Sequence, residues 1–338
     1  MILTVITTIN GLTKGIEKFL QYPKTKNMIV IGDKGSKNIN EIRKGLQYYS
    51  FEQQLSFKEL KSSMMPERHY SRKNIGYLLA IKKGANIIYE TDDDNIPHSE
   101  NFLDDLSKGF VIDIRSENNV VFNCYKLFTD QFIWPRGFPL SEINSDVEYN
   151  INKEKLIEAS IVQGLADSDP DVDAIFRLSR KYMPINFSRK DHSFLLPTQC
   201  YCPFNSQNTL WKKEAFALLY LPVTVSFRFT DILRSFVAKR CLDHFNLYLA
   251  FANATVYQER NQHDLFKDFQ DEIECYINTP AVIQCLIDTV FHQSDSLTDC
   301  LLKIYSNLVL AKLVKKDELL HLNNWITDFK FVSRSNEV

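Results

Sequence analysis

The sequence predicts an α/β protein with a Rossmann-like, mostly parallel sheet flanked by helices. Strand-like apolar runs alternate with helix-like segments over the first 125 residues, which is the order of a βαβ series. Three aspartates, Asp92 to Asp94, directly follow the apolar segment 86–90, so carboxylates come where a buried strand ends. Ligands of open α/β sheets bind in the crevice outside the carboxyl ends of the strands. The pattern therefore predicts both the fold class and a place for a ligand.

The individual elements follow from apolar periodicity and its boundaries. Strands are predicted over Ile2–Thr8 and over residues 28–31, 86–90 and 120–124. Residues 13–20 can form a short helix between the first two strands. A second helix carries Ile75, Leu78 and Leu79 on one side and is stopped by Gly84. This order places the three aspartates at the junction of a strand and a loop.

The second half of the chain is less regular and then becomes helical. Prolines interrupt residues 134–222, which is typical of binding loops over a rigid sheet. The tail from Ile273 has apolar residues at near-helical spacing, which predicts a helical cap. We therefore expect a core domain over residues 1–270, with a nucleotide-binding half (1–125) and an acceptor half (126–270), followed by a helical region over 271–338.

Composition narrows the class of protein. The 338 residues are 44% hydrophobic and 24% charged, as in ordinary globular proteins. A formal net charge of −2 gives no general attraction for nucleic acid, so we expect no nucleic-acid partner. The seven cysteines form no CxxC pair, which favours reduced, buried thiols over a zinc site.

Targeting signals are also not evident. The chain opens on a strand-like run with no basic leader, and no apolar stretch approaches the ~20 residues that a membrane-spanning helix needs. We therefore expect a soluble, cytoplasmic protein.

The acidic run has two interpretations. Clustered hard oxygens at a strand end suit Mg²⁺ or Mn²⁺ shared with a substrate diphosphate. Alternatively, the run is a solvated turn, because Asp and Asn are common turn residues. The metal interpretation is favoured, since adjacent like charges repel unless a cation neutralises them. Upstream, Arg72 and Lys73 precede a helix and could bind the diphosphate there, although such residues often only face solvent.

Three further clusters could carry chemistry. Asp169, Asp171 and Asp173 resemble the start of an EF-hand, but Ala174 and Arg180 stand where that loop needs Gly and Glu. These carboxylates could instead contact sugar hydroxyls, lie near the metal or cap a helix.

Asp231 lies between Arg228 and Arg234 in the sequence. It could be a general base kept ionised by positive charge, or a partner in a structural ion pair. His263 follows Arg260 in the third cluster, and a single histidine is more often structural than a metal ligand.

Read in order, these segments resemble the STELLO family of glycosyltransferase-like proteins over roughly residues 1–275. The matching blocks begin at Thr7, Gly32, Arg72, Thr91, Arg136, Gln163, Asp169, Phe204 and Arg260. The resemblance implies a GT-A nucleotide-sugar transferase core, in which the acidic run is the DxD motif that holds Mn²⁺ or Mg²⁺ on the donor diphosphate. The C-terminal helical tail lies outside these blocks.

The resemblance also implies roles for individual residues. Asp92, Asp94 and His263 would hold the metal, and Asp231 would deprotonate the acceptor hydroxyl, as in inverting GT-A enzymes. Residues expected to bind the nucleotide donor are Thr8, Asn10, Asp33, Arg72, Lys73, Asn74, Asp92 and Asp93. Residues expected on the acceptor side are Arg136, Gln163, Asp169, Asp171, Asp173, Asn205, Gln207 and Arg234.

The expected function is transfer of a sugar from a UDP- or GDP-sugar to the hydroxyl of a glycan or another acceptor, with inversion. Three alternatives stay open at this point. The acidic run also looks like that of nucleotide-sugar mutases and self-glycosylating proteins. A nucleotidyltransferase would bind a metal and a nucleotide in a similar fold. A non-catalytic scaffold for a polysaccharide synthase belongs to a different class, and an exposed carboxylate cluster argues against it.

Overall fold

The computed structural model describes residues 1–40, 43–104, 108–114, 121–181, 183–188, 190, 192–259 and 264–334. Within these residues the chain forms one mixed sheet with helices on both faces. The strands are β1 (Ile2–Thr8), β2 (Met28–Gly32), β3 (Leu46–Tyr49), β4 (Ile87–Thr91), β5 (Asn95–Pro97), β6 (Lys108–Ile114), β7 (Tyr149–Glu158), β8 (Ile161–Asp167), β9 (Ser193–Leu195), β10 (Asn208–Lys212) and β11 (Leu249–Gln258). The helices are α1 (Lys14–Gln21), α2 (Phe51–Leu55), α3 (Lys73–Lys82), α4 (Ala174–Leu178), α5 (Thr230–His244), α6 (Leu265–Asp288), α7 (Leu297–Leu310) and α8 (Glu318–Arg334).

The sheet has the strand order β3-β2-β1-β4-β10-β8-β11-β9-β6-β7, with β5 paired to β11. The first four strands in this order are parallel, which confirms the prediction for the N-terminal half. β10 is antiparallel to both of its neighbours, and the remainder of the sheet mixes both directions. Two strands that are consecutive in the chain can pair in parallel only through a crossover connection, which is usually a helix. The proline-rich middle of the chain has few helices, which favours antiparallel pairing there.

Most predicted elements of the N-terminal half are present. Helix α1 begins after Thr13, whose hydroxyl caps it, and α3 ends just before Gly84. The strand predicted over residues 120–124 is wrong in the described part. There, Val121 makes a single bridge to Tyr201, and a 3-10 turn follows over Cys124–Leu127.

The two faces of the sheet are covered by different helices. Leu3 and Val5 of β1 point into the large core beneath α3, α5, α7 and α8, whereas Ile6 packs with α1 on the opposite face. Helix α3 lies close to the sheet because residue 76 is glycine. A Cβ there would stand 2.7 Å from a side-chain carbon of Val5.

The C-terminal helices pack against the N-terminal half of the chain. Trp325 of α8 is fully buried, and Asp328 accepts hydrogen bonds from the backbone N–H groups of Lys61 and Ser62. The boundary that we placed between residues 270 and 271 falls inside α6. In the described part of the chain, no helix has the combined length and apolar character needed to cross a bilayer.

Candidate active site

A cleft of about 910 Å³ opens beside the carboxyl ends of β1, β2 and β4. The loops after these strands form one wall, and the starts of α5 and α6 form the other. Of the residues predicted from sequence, eleven line this cleft: Thr8, Asn10, Asp33, Arg72, Asp92, Asp93, Asp94, Arg136, Asp171, Gln207 and Asp231.

The middle aspartate of the acidic run holds the run in place. Asp93 is 9% exposed, and its Oδ2 accepts hydrogen bonds from Thr8 Oγ1 at 2.5 Å and Asn10 Nδ2 at 3.1 Å. Gly15 of α1 packs against the same loop, where a Cβ would stand 2.4 Å from the carbonyl oxygen of Asn95. These contacts fix the run to the end of β1, so Thr8 and Asn10 support the acidic loop as well as lining the cleft.

Asp92 is the aspartate most strongly affected by its surroundings. About a third of its side chain (32%) is open, and its Oδ1 accepts from Tyr70 Oη at 3.2 Å. Burial raises the pKa of Asp92 to about 8, and the other carboxylates nearby add to the shift, while Lys73 opposes it. The Asp94 carboxylate accepts from Gln258 Nε2 at 3.0 Å. Asp92 and Asp94 therefore both present side-chain oxygens along this wall, and a bound cation would favour the ionised form of Asp92.

These oxygens fit Mg²⁺ or Mn²⁺ only in part. His263, the predicted third ligand, lies outside the described residues. Among those that are described, no group of three or more His, Cys, Asp or Glu side chains is arranged to hold a metal. Mg²⁺ commonly binds through one or two carboxylates and takes its other ligands from water and substrate phosphates. Asp92 and Asp94 fit that kind of shared site, and they do not form a closed protein cage.

The predicted cations have other partners. Arg72 is 1% exposed, and its guanidinium donates to Gln54 Oε1 and to the carbonyl of Met65. Lys73 is fully buried and donates to Tyr70 Oη at 3.0 Å and to the carbonyl of Thr91 at 3.2 Å. Lys73 therefore lies behind the wall of the cleft, and the guanidinium of Arg72, although the residue lines the cleft, is bonded to groups inside the protein. Direct contact with a diphosphate is not the role that this geometry favours.

Asp33, at the end of β2, also has a structural task. Its carboxylate accepts from the backbone N–H groups of Lys34, Arg68 and His69, at 2.6, 2.8 and 3.0 Å. Arg68 has a φ of +54°, so this side-chain anchor holds a backbone conformation that is uncommon for a non-glycine residue. The loop that it holds brings Arg68 and His69 to the rim of the cleft.

Asp231 faces the acidic run from the first turn of α5. It is 5% exposed, and both of its oxygens accept from Arg136, at 3.0 to 3.1 Å. Ser206 donates to Oδ2 from its backbone N–H at 3.2 Å and from its hydroxyl at 3.1 Å. Burial alone would raise the pKa of Asp231, but Arg136, Arg234 and Ser206 outweigh it and lower the pKa below its usual value. The carboxylate is therefore ionised at neutral pH.

The arginine pairing differs from the sequence interpretation. Arg228 does not pair with Asp231 and instead contacts Glu272 at 2.6 Å and Asp268 at 3.9 Å, both on α6. Arg136 takes the expected place and holds Asp171 as well, at 2.7 Å. Sequence spacing could not show this, because Arg136 is 95 residues from Asp231.

Two uncharged residues join the acidic run to Asp231. The hydroxyl of Tyr70 lies 2.5 Å from that of Ser206, which in turn donates to Asp231. With the contact between Tyr70 and Asp92, these contacts make a continuous line of polar groups across the cleft, from Asp92 to Asp231. Neither residue was singled out from the sequence, because a neutral hydroxyl at an irregular position gives no local signal.

Besides Lys73, six residues predicted for the site have side chains bonded elsewhere and do not line the cleft. Asn74 bonds the backbone of Leu221 in both directions, and Asp173 caps α4. Asp169 pairs with Arg177, and Arg234 pairs with Glu90 beneath the sheet end. Gln163 and Asn205 are buried, and Gln163 Oε1 accepts from the backbone N–H of Asn205 while Asn205 Oδ1 accepts from that of Gln207. We correct these six assignments, because each side chain serves the fold around the cleft. Gln207 does line it and donates to Gln258 Oε1 at 2.9 Å.

Helix α6 contributes cleft residues that the sequence interpretation missed. Asp264, Lys267, Asp268 and Asp271, from its cap and first two turns, line the wall near Asp231. The sequence of a helix does not show which of its ends will lie at a cleft that is formed by distant parts of the chain, so these residues could not be identified from sequence. The sequence interpretation had assigned most of this helix to a separate cap.

Sequence comparisons identify relatives of the chain. Residues 228–335 match the family model described as STELLO glycosyltransferases. Probable glycosyltransferase STELLO2 of Arabidopsis thaliana is 31% identical over 268 residues, covering 72% of this chain and 34% of that protein. Probable glycosyltransferase STELLO1 of the same plant is 31% identical over 247 residues, covering 66% of this chain and 31% of that protein. The chain thus spans about a third of the length of these relatives.

Among solved structures, the chain is similar to glucosyl-3-phosphoglycerate synthase from Mycobacterium tuberculosis. Its complex with Mn²⁺, UDP-glucose and phosphoglyceric acid has a TM-score of 0.44 at 14% identity, over 83% of this chain and 80% of that chain. The complex with Mn²⁺, UDP-glucose and glycerol 3-phosphate has a TM-score of 0.42 at 11% identity, over 84% of this chain and 79% of that chain.

The family match corrects one expectation. We placed the C-terminal helical tail outside the resemblance, but the matched residues 228–335 include the whole of α5 to α8. The packing of α8 on α3 gives the physical reason, since these helices cover one face of the sheet. With these matches, the chain belongs to the STELLO family of glycosyltransferases.

Proposed function

We propose that this chain is a metal-dependent glycosyltransferase, which moves a sugar from a UDP- or GDP-sugar to an acceptor hydroxyl. One observation carries the proposal: Asp92 and the ionised Asp231 line the same cleft and are joined through Tyr70 and Ser206. A metal-binding carboxylate and a proton acceptor facing a common space are what such a transfer needs. Membership of the STELLO family supports the same reaction class.

In this proposal, the donor lies along the ends of β1, β2 and β4. Asp92 and Asp94 would hold Mn²⁺ or Mg²⁺ against the diphosphate, and the bound cation would offset the negative charge that develops on the leaving group. Thr8, Asn10 and Asp33 line the part of the cleft that would hold the base and ribose of the donor. Arg68 lines the same cleft. Asp93 would hold the metal-binding loop against the end of β1 through its hydrogen bonds from Thr8 and Asn10.

Asp231 would accept the proton of the acceptor hydroxyl. As the new C–O bond forms at the anomeric carbon, the bond to the diphosphate breaks and the hydroxyl proton passes to a carboxylate oxygen of Asp231. A carboxylate whose pKa is lowered is a weak base, so proton transfer must accompany bond formation, when the hydroxyl oxygen becomes acidic. Attack from the face opposite the diphosphate gives inversion.

A thermal-shift panel tests the donor class. UDP-sugars and GDP-sugars are added with and without Mn²⁺, and a ligand at 100 times its Kd should stabilise the protein by about 2.7 kcal/mol. We expect stabilisation by one nucleotide series and only with Mn²⁺. If no nucleotide sugar stabilises the protein in the presence of Mn²⁺, the proposed function is wrong. NMR of the product then reports whether the anomeric configuration is inverted.

A further inference from the structure

The ring of Phe227 is unusually open for a large apolar side chain inside a cleft. It is 49% exposed and lines the cleft, at the start of the 3-10 turn Phe227–Phe229 that leads into α5. Its edge packs against Tyr70, with ring centroids 5.5 Å apart and an angle of 65° between the planes. An exposed aromatic ring that borders a polar cleft provides a flat apolar surface for a ligand.

Phe227 stands beside both halves of the proposed chemistry. Tyr70, which it contacts, donates to Asp92 on the metal side. Asp231 follows Phe227 by four residues in the chain. The hydroxyl of Thr230, between them, donates to the backbone carbonyl of Phe227 at 3.0 Å. A ring held against Phe227 would therefore lie next to the proposed base and close to the donor.

The charges around this ring do not suit an anion. Arg136 is paired with Asp171 and Asp231, and Arg228 with Glu272 and Asp268, so each arginine is matched by two carboxylates. Lys267 is the third cation of this wall in the described part of the cleft. The same wall carries the lining carboxylates Asp171, Asp231, Asp264, Asp268 and Asp271, so its carboxylates outnumber these three cations.

Asp271 is the carboxylate best suited to bind hydroxyl groups. It is half-buried on α6 and lines the cleft, and the described residues include no ion-pair partner for it. A carboxylate in this state accepts hydrogen bonds from neutral donors and repels anions. A sugar ring offers both complementary surfaces, because it has a C–H face for an aromatic ring and hydroxyls for a carboxylate.

We propose that Phe227 and Asp271 form the acceptor subsite, and that the acceptor is an uncharged sugar ring. This inference rests on the proposed function, because it assigns the second substrate of the same cleft. The C–H face of the acceptor sugar stacks on Phe227, and its hydroxyls donate to Asp271. An acceptor that carries a carboxylate or phosphate on that ring is excluded by the acidic wall.

Saturation-transfer NMR tests the subsite with stated probes, in the presence of Mn²⁺ and nucleoside diphosphate. The neutral probes are methyl glucoside, methyl galactoside and methyl mannoside, and the anionic probes are methyl glucuronide and glucose 6-phosphate. We expect saturation on ring C–H protons of at least one neutral glycoside and none on the anionic sugars. Phe227→Leu keeps apolar volume but removes the aromatic face and should weaken binding roughly fivefold, whereas Phe227→Tyr should keep it.

Two further variants complete the test. Phe331→Ala removes a phenylalanine of equal exposure (48%) on α8, outside the cleft lining, and should leave glycoside binding unchanged. Asp271→Lys should admit the anionic sugars. The inference is overturned if no neutral glycoside binds, if anionic sugars bind equally well to the wild type, or if Phe227→Leu binds like the wild type.

Donor binding is measured separately by calorimetry with Mn²⁺. Normal donor binding without glycoside binding rejects the acceptor subsite and leaves the proposed function standing. Glycoside binding without donor binding rejects the proposed function and leaves a sugar-binding cleft.

Discussion

Three chemically identical carboxylates in the acidic run have different environments. Asp93 is held by Thr8 and Asn10, whereas Asp92 and Asp94 present oxygens along the cleft. The difference arises because the end of β1 reaches one member of the run with two hydrogen-bond donors. At the residue scale, function therefore follows from what each side chain is bonded to, more than from its type.

Removing either cleft-facing aspartate should abolish metal-dependent donor binding. Asp92→Ala and Asp94→Ala each remove an oxygen ligand, and neither side chain is part of the apolar core. Calorimetry with the nucleotide sugar and Mn²⁺ is expected to show no binding, while the unfolding temperature stays near that of the wild type. Asp113→Ala, an exposed aspartate on β6, is the control. Unchanged donor affinity in both cleft variants would contradict the metal site.

Asp231→Asn should affect the chemical step and leave donor binding nearly unchanged. The amide keeps the size of the side chain but cannot accept the proton, so kcat should fall by about 10²-fold or more. Arg136 keeps its second partner, Asp171, which limits the structural disturbance. Asp173→Asn makes the same substitution at a buried aspartate outside the cleft lining and should not change kcat. A wild-type rate for Asp231→Asn, or a product with retained configuration, would make Asp231 a structural ion-pair partner only.

At the scale of secondary-structure elements, one buried ion pair joins the end of strand β4 to the start of helix α5, and both of these ends contribute to the site. Glu90, on β4, precedes the acidic run, and Arg234, on α5, lies one turn after Asp231. Their side chains are 0% and 1% exposed, with an N–O distance of 2.7 Å, and Trp211 donates to Glu90 at 2.7 Å. The pair fixes the separation of the proposed metal site and the proposed base.

Breaking this pair on one side should be costly. Arg234→Met leaves Glu90 charged and buried, and we expect a loss of about 3–5 kcal/mol in the free energy of unfolding. Glu90→Gln with Arg234→Met removes both charges and should be less destabilising than the sum of the single changes. Urea unfolding of the four proteins in this cycle measures the coupling. Strictly additive effects would show that the two side chains do not act as a pair.

At the scale of the whole molecule, the C-terminal helices complete the fold and the cleft together. Helix α8 packs on α3, and its Asp328 accepts from the backbone N–H groups of Lys61 and Ser62. Trp325 of the same helix donates to the carbonyl of Ala217, and Glu318 at its start accepts from the backbone N–H groups of Val223 and Thr224. Helix α6 begins at the cleft and runs away from it. Loss of these helices would therefore expose core and remove one wall of the cleft.

The global stability should depend on the protonation of Asp173. Burial raises its pKa from 3.8 to about 6, with Glu272 adding to the shift, so the folded state binds this proton more tightly than the unfolded chain. The stabilising contribution of protonated Asp173 is then complete below pH ~4 and is lost as the pH rises through about 6, by up to about 3 kcal/mol.

Asp173→Asn removes this titration and can still cap α4. Its free energy of unfolding relative to the wild type should therefore increase between pH 4 and pH 6.5. Urea unfolding across this range measures the difference, and Asp113→Asn serves as an exposed control. Parallel curves for the wild type and Asp173→Asn would show that Asp173 does not titrate in this range.

The local pattern of the sequence determined the α/β class, the parallel N-terminal strands and the acidic run at a strand end. These features depend on periodicity and on neighbouring residues, so a single sequence contains them. The ordered blocks also led to the STELLO family. The prediction of a strand over residues 120–124 was wrong in the described part, where only Val121 pairs, by a single bridge. A short apolar run does not show whether another strand will lie beside its whole length.

The tertiary structure decided which candidate residues face the cleft. Thr8 and Asp93 are 85 residues apart, and Arg136 and Asp231 are 95 apart, so no local spacing links them. Arg72, Asn74 and Arg234 were predicted to contact the substrates, but their side chains are buried and bond to groups inside the protein. A buried charge takes the partner that packing brings to it, and packing is a property of the complete fold.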